Sequence, residues 1–426
     1  MSDLPSKLLE KSSGNYDKIR GLFHFLGIRF MSSRYSHKKL ADAGNATRNI
    51  HFGIEPDPVT GAILPPIYQT ATYAQEAVGV NKGHTYTRSS NPTVATLEKK
   101  LAGIEYAAGA VAFATGLAAT TTLIMSLLQQ GDHIVCSDVV FGGTVRLVDT
   151  VFNKFGISIS YIDAANPENI ARAIQENTKM IFLETPANPT LKLNDIAAIS
   201  KIAHAKNIPV VVDNTFLTGV LQRPLELGAD IILYSTTKYI DGHNATVGGA
   251  LLSNNKKYLE DFDYNRKNIG NIQAPMNAWL TMQGIKTLDL RVKQHSRNAQ
   301  SVAEFLEQHP QVSKVYYPGL ASFAQKELVA TQHRDGFHGG MLAFEVVGGY
   351  EHALHVMNSV VLCTLAESLG ATETIITHPA SMTHVMMAAE QRLAIGVSDG
   401  LIRFSVGLEN PEDIMRDLEQ ALIWTK

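Results

Sequence analysis

Short apolar runs alternate with longer helix-like stretches from about residue 103 to residue 253, and this alternation limits the fold more than any other feature of the chain. The apolar runs have the length and composition of strands and cover residues 110–113, 133–136, 157–162, 180–184, 209–213, 230–235 and 248–253. Apolar strands separated by helices predict a large α/β domain with a mostly parallel sheet covered on both faces. Ligands of such sheets bind beyond the carboxyl ends of the strands. Glu184, Asp213 and Ser235 end three of the runs, so we expect the functional site at that edge.

The remaining sequence predicts an arm before this domain and a second domain after it. The 426 residues are long enough for two domains. We divide the chain into a mobile extension (1–42), an arm (43–87), a large domain (88–283) and a smaller α+β domain (284–426). The arm contains a stretch rich in Pro and Gly (53–75) that we expect to be extended. We also expect one long helix from about residue 276 to residue 302, followed by strands and further helices.

Charge and composition exclude several classes of function. The net charge is −3 and no block of Lys or Arg is present, so we expect neither a nucleic-acid nor a membrane partner. No apolar run approaches the ~20 residues of a membrane span, and residues 1–14 lack the apolar core of a signal peptide. Cys136 and Cys363 lie in apolar surroundings, which favours two reduced thiols in the cytoplasm.

The strongest local motif is DIILYSTTKYIDGHN, residues 230–244. A predicted strand runs into a turn that holds Ser235, Thr236 and Thr237 directly before Lys238. Hydroxyl and backbone N–H groups of such a turn suit a phosphate, and a lysine amine in the same pocket suits an imine with an aldehyde. An isolated lysine at a strand end would instead be a solvated surface charge.

Two further strand ends fit the same ligand. Asp213 follows a fully apolar strand in PVVVDNTF, and a buried carboxylate needs a partner. The protonated ring nitrogen of pyridoxal phosphate (PLP) would be such a partner, although Asp213 could also cap the turn that follows. In AVAFATGLAA, Gly116 opens a helix whose first N–H groups would attract phosphate. The dinucleotide and P-loop signatures are absent.

These residues resemble the Cys/Met-metabolism family of PLP enzymes, within fold-type I. The resemblance covers residues 50–426 and rests on an ordered set of motifs: LPPIYQTATY, YTRSSNPT, FATGLAA, ETPANPT, VVDNTF, DIILYSTTKYIDGHN, SLGATETIITHPASMTH and RFSVGLEN. It implies an aspartate-aminotransferase-like fold, PLP as the cofactor and no metal. It also implies a homotetramer built from two active dimers, with an arm that contacts the neighbouring subunit.

The resemblance implies a role for each motif residue. Lys238 is expected to form the Schiff base and shuttle protons, and Asp213 to face the pyridine nitrogen. Arg403 is expected to bind the substrate α-carboxylate through its planar guanidinium group, with Ser368 nearby. Asn188 is expected to contact the cofactor ring or the substrate. The phosphate contacts are expected from Gly116, Leu117, Ser235 and Thr237, and from Tyr86 and Arg88 of the neighbouring subunit.

One position departs from the family pattern. Phe141 in VVFGGTVR stands where the family usually has tyrosine. Its ring can stack on the cofactor, but it has no hydroxyl group with which to exchange a proton. Tyr86, Arg88 or a water molecule are the candidates for that part of the acid–base chemistry.

A few positions bear on the substrate. Glu367 in AESLG and Arg146 in FGGTVR resemble residues of the cystathionine γ-synthases and γ-lyases, and Gly143 replaces the cysteine usual in methionine γ-lyases. Thr85 stands where the cystathionine enzymes often have an acid, and Glu367 and Arg146 could instead form ion pairs. We therefore expect γ-replacement or γ-elimination on cystathionine or an O-acylhomoserine. The alternatives are a methionine γ-lyase, a cystathionine β-lyase, an O-acylhomoserine sulfhydrylase and, from another class, a catalytically idle binding protein of the same fold.

Overall fold

A computed structural model describes residues 40, 42–383, 385 and 387–424. The extension predicted for residues 1–42 therefore lies almost wholly outside the described residues. The first helices are α1 (Asn45–His51), α2 (Pro92–Glu105), α3 (Gly116–Leu127), α4 (Gly142–Thr150), α5 (Pro167–Ala173), α6 (Ile196–His204) and α7 (Thr218–Leu221). They are followed by α8 (Lys256–Ile269), α9 (Pro275–Lys286), α10 (Leu288–Gln308), α11 (Lys326–Gln332), α12 (Gly349–Ser359), α13 (Ala389–Ala394) and α14 (Pro411–Ala421).

The predicted strands form one seven-stranded sheet, which confirms the α/β reading. Its strands are β1 (Gly109–Phe113), β2 (His133–Ser137), β3 (Ser158–Ile162), β4 (Thr178–Glu184), β5 (Val210–Asp213), β6 (Ile231–Ser235) and β7 (Gly249–Ser253). They lie in the order β1-β7-β6-β5-β4-β2-β3, and β7 is antiparallel to both of its neighbours while the rest of the sheet is parallel. The carboxyl ends of β4, β5 and β6 therefore meet at one edge.

A second, smaller sheet follows in the C-terminal part of the chain. Its strands are β8 (Val312–Tyr316), β9 (Met341–Val346), β10 (Thr364–Leu365), β11 (Ile375–Thr377) and β12 (Leu401–Ser405), in the order β10-β11-β12-β9-β8. The pairs are antiparallel except β10 with β11. One buried apolar cluster joins residues of both sheets, for example Tyr234 and Ile402. The domain boundaries that we predicted from the sequence remain predictions.

The segment predicted as one long helix is two helices. It breaks at Thr287, whose backbone (φ −107°, ψ 5°) is not helical, so α9 ends at Lys286 and α10 starts at Leu288. Arg291 on α10 donates to the carbonyl oxygens of Tyr239 and Gly284, each at 2.8 Å. The buried Arg291 thus ties the two helices to the turn that follows Lys238. Apolar periodicity continues across the break, so the sequence pattern did not reveal it.

The stretch 53–75 contains neither helix nor ladder strand, as expected for an arm, but it is not extended throughout, because residues 57–62 form a tight turn. Large apolar side chains along it face solvent: Val59 and Ile63 have 88% and 80% of their surface exposed. An exposed apolar series of this kind marks an interaction surface. In the part of the chain that the structure describes, no helix is both long and apolar enough to cross a bilayer.

Candidate active site

A cavity of about 330 Å³ lies at the carboxyl edge of the large sheet. This is the edge at which the alternation of strands and helices predicted the functional site. Eight of the predicted site residues line it: Gly116, Leu117, Phe141, Asn188, Asp213, Ser235, Thr237 and Lys238. They lie at or just after the ends of five strands (β1, β2, β4, β5 and β6), so the fold collects residues that are up to 122 positions apart in the sequence.

Lys238 enters this cavity from the turn after β6. Its Nζ lies 3.0 Å from the Oγ of Ser368 and donates to it. Burial and the positive charge of Arg403 lower the pKa of Lys238 to about 8, while Glu367 opposes the shift. A much larger share of this amine is therefore unprotonated at neutral pH than for a surface lysine, as a nucleophile or a base requires.

Asp213 ends β5 on the cavity wall. Burial raises the pKa of its carboxyl group to about 6. One oxygen, Oδ1, accepts a hydrogen bond from the N–H of Thr215 at 3.0 Å, so the predicted turn cap exists. Because a carboxylate has several acceptor positions, this bond leaves Asp213 able to accept from a protonated ring nitrogen as well.

The start of α3 and the turn after β6 form one cradle. Thr115 caps α3 by accepting from the N–H of Ala118 at 2.9 Å, which turns the first N–H groups of the helix toward the cavity. A Cβ atom at Gly116 would lie only 3.1 Å from the Cβ of Ser235, so a larger residue would crowd this cradle. The Thr237 hydroxyl contacts Gly248, accepting from its N–H at 3.0 Å. Converging amides, hydroxyls and a helix N-terminus match a phosphate group.

Arg403 lies on β12 of the second sheet and is buried beside the cavity. Its guanidinium group donates to the carbonyl oxygen of Ser368 at 2.8 Å and to Asn188 Oδ1 at 3.4 Å. Burial lowers the pKa of Arg403 to about 10, so the group is still cationic at neutral pH. Ser368 has a φ of +118°, a strained value for a residue with a side chain, and its two contacts with Lys238 and Arg403 hold it there.

Glu367 and Phe141 border the open side of the site. Glu367 is exposed and directly precedes Ser368, which contacts both Lys238 and Arg403; the charge of Glu367 raises the pKa of both groups. Phe141 precedes α4 and is 44% exposed, with its ring folded back over Gly143. A Cβ atom at Gly143 would lie 2.3 Å from the ring, so any side chain there would displace Phe141.

Six of the predicted site residues do not line the cavity: Arg403, Ser368 and Glu367, described above, and Tyr86, Arg88 and Arg146. Tyr86 and Arg88 are exposed near the end of the arm, where the Arg88 Cζ lies 5.6 Å from the Tyr86 ring centre. Arg88 also donates to the carbonyl oxygen of Lys267 at 2.6 Å. Arg146 is exposed on α4.

The structure adds one site residue, Glu184, to which the sequence motifs assigned no role. Glu184 ends β4, is buried, and lines the cavity next to Asp213, its partner in the parallel register. The sequence signal was its position as a polar strand end. In the described residues no group of three or more His, Cys, Asp or Glu side chains could hold a metal ion.

Comparisons with known proteins agree with this geometry. The family model for Cys/Met metabolism PLP-dependent enzymes matches residues 46–423. The chain is 45% identical to the cystathionine β-lyase of Coxiella burnetii, over 88% of this chain and 97% of that one. It is 45% identical to the cystathionine γ-synthase of Mycobacterium tuberculosis, over 89% and 97%. The crystal structure of metB from Corynebacterium glutamicum superposes with a TM-score of 0.87 at 43% identity and covers 89% of this chain and 98% of that one.

Proposed function

This chain belongs to the family of Cys/Met metabolism PLP-dependent enzymes, and we propose that it acts on cystathionine or an O-acylhomoserine by γ-replacement or γ-elimination. Its fold is type I and its cofactor is pyridoxal 5′-phosphate. The position of Glu367, beside both Lys238 and Arg403, carries the choice of substrate. A carboxylate there suits the second ammonium group of a substrate with two amino-acid ends.

The residues of the cavity fit this cofactor. The amides at the start of α3, with Ser235 and Thr237, would hold its phosphate, and Asp213 would hold the proton on its ring nitrogen. Lys238 would be linked to its aldehyde, and Phe141 and Asn188 would contact its ring. When bound, PLP supplies an aldehyde that takes up the substrate amine and a cationic ring that stabilises negative charge on the adjacent carbon.

Proton transfer then falls to Lys238. Once the substrate amine has displaced it, its free Nζ can remove the Cα proton, and the proton at Cβ has to leave before the γ-substituent is expelled. Its lowered pKa keeps this amine unprotonated for part of the time at neutral pH. Phe141 has no hydroxyl group to share in these transfers. The protonation of the leaving group therefore falls to Lys238 itself, to Tyr86 of the neighbouring subunit or to water.

Substrate orientation depends on Arg403. Its guanidinium group is buried and oriented by Asn188 and by the Ser368 carbonyl group, so it can bind an α-carboxylate without reorganisation. Ser368 contacts both Lys238 and Arg403, which supports a substrate bound with its Cα between the two side chains. Arg146 is exposed within this subunit, so any contact with a distal carboxylate would depend on the assembled oligomer.

The lowered pKa of Lys238 predicts how cofactor uptake depends on pH. Only the unprotonated amine attacks an aldehyde, so the rate at which apo-protein takes up PLP should rise about tenfold per pH unit below pH 8 and level off above it. Stopped-flow absorbance measures this rate. Pyridoxine 5′-phosphate, which has no aldehyde, is the control, and its binding should not follow this profile. A midpoint near the ordinary lysine value would contradict the burial and charge assigned to Lys238.

Product analysis tests the proposed reaction. We expect 2-oxobutanoate from cystathionine, or cystathionine from O-succinylhomoserine with cysteine, and little turnover of methionine. Pyruvate as the main product from cystathionine would assign β-elimination instead. A yellow chromophore that hydroxylamine removes, without turnover of any of these substrates, would indicate a PLP-binding protein with another role.

Glu367→Gln tests the residue on which the substrate choice rests. The KM for cystathionine should rise about tenfold, the effect of losing one charge-assisted contact. The kcat should change much less, and methionine, which has one amino-acid end, should be nearly unaffected. Glu373→Gln is the matched control. Glu373 is an exposed carboxylate of the same loop, and its contacts are with Asn244 and Thr372. Equal effects on both substrates would remove Glu367 from the distal contact.

We also propose that the active unit is a dimer within a tetramer. Tyr86 and Arg88 are exposed and do not line the cavity of their own subunit, and the apolar side chains of the arm face solvent. Both features are explained if the arm packs on a second subunit and brings Tyr86 and Arg88 to its cofactor phosphate. This arrangement would also complete the open side of the cavity near Phe141.

The proposed location is the cytoplasm. Both cysteines, Cys136 and Cys363, are buried and unpaired. Burial raises the pKa of each thiol, so they behave as apolar core residues. Free thiols are the rule in reducing compartments, which supports this location.

A further inference from the structure

Glu184 is a buried carboxylate of the site to which the functions proposed above give no part. It is the last residue of β4 and only 5% exposed, and it lines the cavity. A carboxylate in such surroundings is costly unless hydrogen bonds or charges compensate its burial. The groups that compensate the burial of Glu184 therefore indicate its role.

The two oxygens of Glu184 accept from two separate segments of the cavity wall. Oε2 accepts from the N–H of Phe141 at 2.7 Å, and Oε1 accepts from the N–H of Asn188 at 3.2 Å. Phe141 immediately precedes α4, whereas Asn188 lies in the turn after β4. One side chain thus joins the residue whose ring borders the cavity to the residue whose amide contacts Arg403.

The backbone of Glu184 is itself fixed. Its N–H donates to the Oγ of Ser137 at 3.3 Å, and its carbonyl oxygen accepts from the Nδ2 of Asn194 at 3.1 Å. Ser137 ends β2, so the carboxylate is anchored where two neighbouring strands of the sheet end. A carboxylate anchored to the sheet in this way fixes the positions of the groups that hydrogen-bond to it.

The Phe141 ring packs against the backbone of Gly143. It folds over Gly143, where a Cβ atom would come within 2.3 Å of it. The bond from the Phe141 N–H to Glu184 and this contact together fix where the ring lies.

Charge explains why two N–H donors are needed. Burial and the neighbouring Asp213 raise the pKa of Glu184 well above its usual range. The N–H groups of Phe141 and Asn188, and the more distant Arg403, act in the opposite direction and favour the ionised form. Both hydrogen bonds use oxygen atoms of Glu184 as acceptors, and each oxygen has a lone pair for its N–H donor whether or not the group carries a proton.

We propose that Glu184 is a positioning residue, whose carboxylate sets the Phe141 ring and Asn188 relative to each other and so fixes the orientation of the cofactor ring. The inference rests on the cofactor contacts proposed for Phe141 and Asn188. It does not depend on which substrate the enzyme uses. A glutamine cannot replace this group, because its NH₂ would face one of the two N–H donors.

A double-mutant cycle on cofactor affinity tests the proposal. Glu184→Gln should weaken PLP binding to apo-protein by about tenfold and reduce the visible circular dichroism of the bound cofactor. In a Phe141→Ala background, where no ring remains to be positioned, the same change should weaken binding by about threefold or less. Fully additive effects, or an unchanged dichroism, would overturn the proposal. If Glu184→Gln does not fold, Glu184→Asp, which keeps both oxygens on a shorter side chain, completes the cycle.

Asp417→Asn is the matched control. Asp417 is also buried and accepts from backbone N–H groups, those of Val361, Leu362 and Cys363 at 2.8–2.9 Å, but it does not line the cavity. Its loss should lower thermal stability and leave the cofactor affinity and dichroism within about twofold of the parent. A comparable loss of cofactor affinity in Asp417→Asn would mean that Glu184→Gln acts only through stability. Because no substrate enters these measurements, they are independent of the product analysis.

Discussion

Replacing Lys238 with alanine should lower turnover by about 10³-fold or more, because the same amine holds the cofactor and moves the substrate protons. The variant should still bind PLP through the phosphate cradle and Asp213, but its visible absorption should be that of the free aldehyde. Absorbance spectra of the purified variant and steady-state rates on cystathionine measure both effects. A primary amine such as methylamine, small enough for the space left by the truncated side chain, should restore part of the rate.

Lys100→Ala is a stringent control for this change. Lys100 is buried on α2, and burial also lowers its pKa, to about 7. Its Nζ donates to the backbone carbonyl oxygens of Asn49 and Ile50, and none of these residues lines the cavity. Losing it should reduce stability and preserve the yellow chromophore. If Lys238→Ala kept both the turnover and the absorption of the parent protein, a different lysine would have to form the link to the cofactor.

The sequence could predict the large sheet and its functional edge because the relevant signals are local. Each apolar run predicts one strand. Asp213, Ser235 and Gly116 each lie within a few residues of a strand end. Parallel strands then bring those ends to one edge whatever the details of packing. For the same reason Lys238, Asp213 and the start of α3 could be predicted from the sequence to lie together.

Contacts between distant segments could not be predicted in the same way. The partners of Glu184 include the N–H of Phe141, 43 positions earlier in the chain, and nothing in the sequence near Glu184 identifies it. At the break at Thr287, Arg291 donates to the carbonyl groups of Tyr239 and Gly284, whereas the helical periodicity alone predicted a single helix. Motif position also did not show that Arg146 would be exposed within its subunit.

Residues of the exposed arm do not reach the cavity of their own subunit. Arg88 carries a positive charge suited to a phosphate, yet it lies outside the cavity formed by its own subunit. Val59 and Ile63 on the same arm are almost fully exposed. If the arm of each subunit completes the site of the other, a site defective in Lys238 and an arm defective in Arg88 belong to different functional units.

Subunit complementation should therefore restore activity between two inactive variants. Lys238→Ala and Arg88→Ala homo-oligomers should each be strongly impaired, but in a mixed dimer one site combines an intact Lys238 with an intact Arg88. Random assembly of equal amounts gives about a quarter of intact sites, so co-expression should restore about a quarter of the parent activity. Differently tagged subunits show that both variants are present in equal amounts in the unfractionated mixture that is assayed. Lys238→Ala co-expressed with Asp213→Asn is the control, because both changes lie in the cavity of one subunit and no intact site can form if each variant is inactive. The absence of recovery with Arg88→Ala would place Arg88 in its own subunit's site or outside the site altogether.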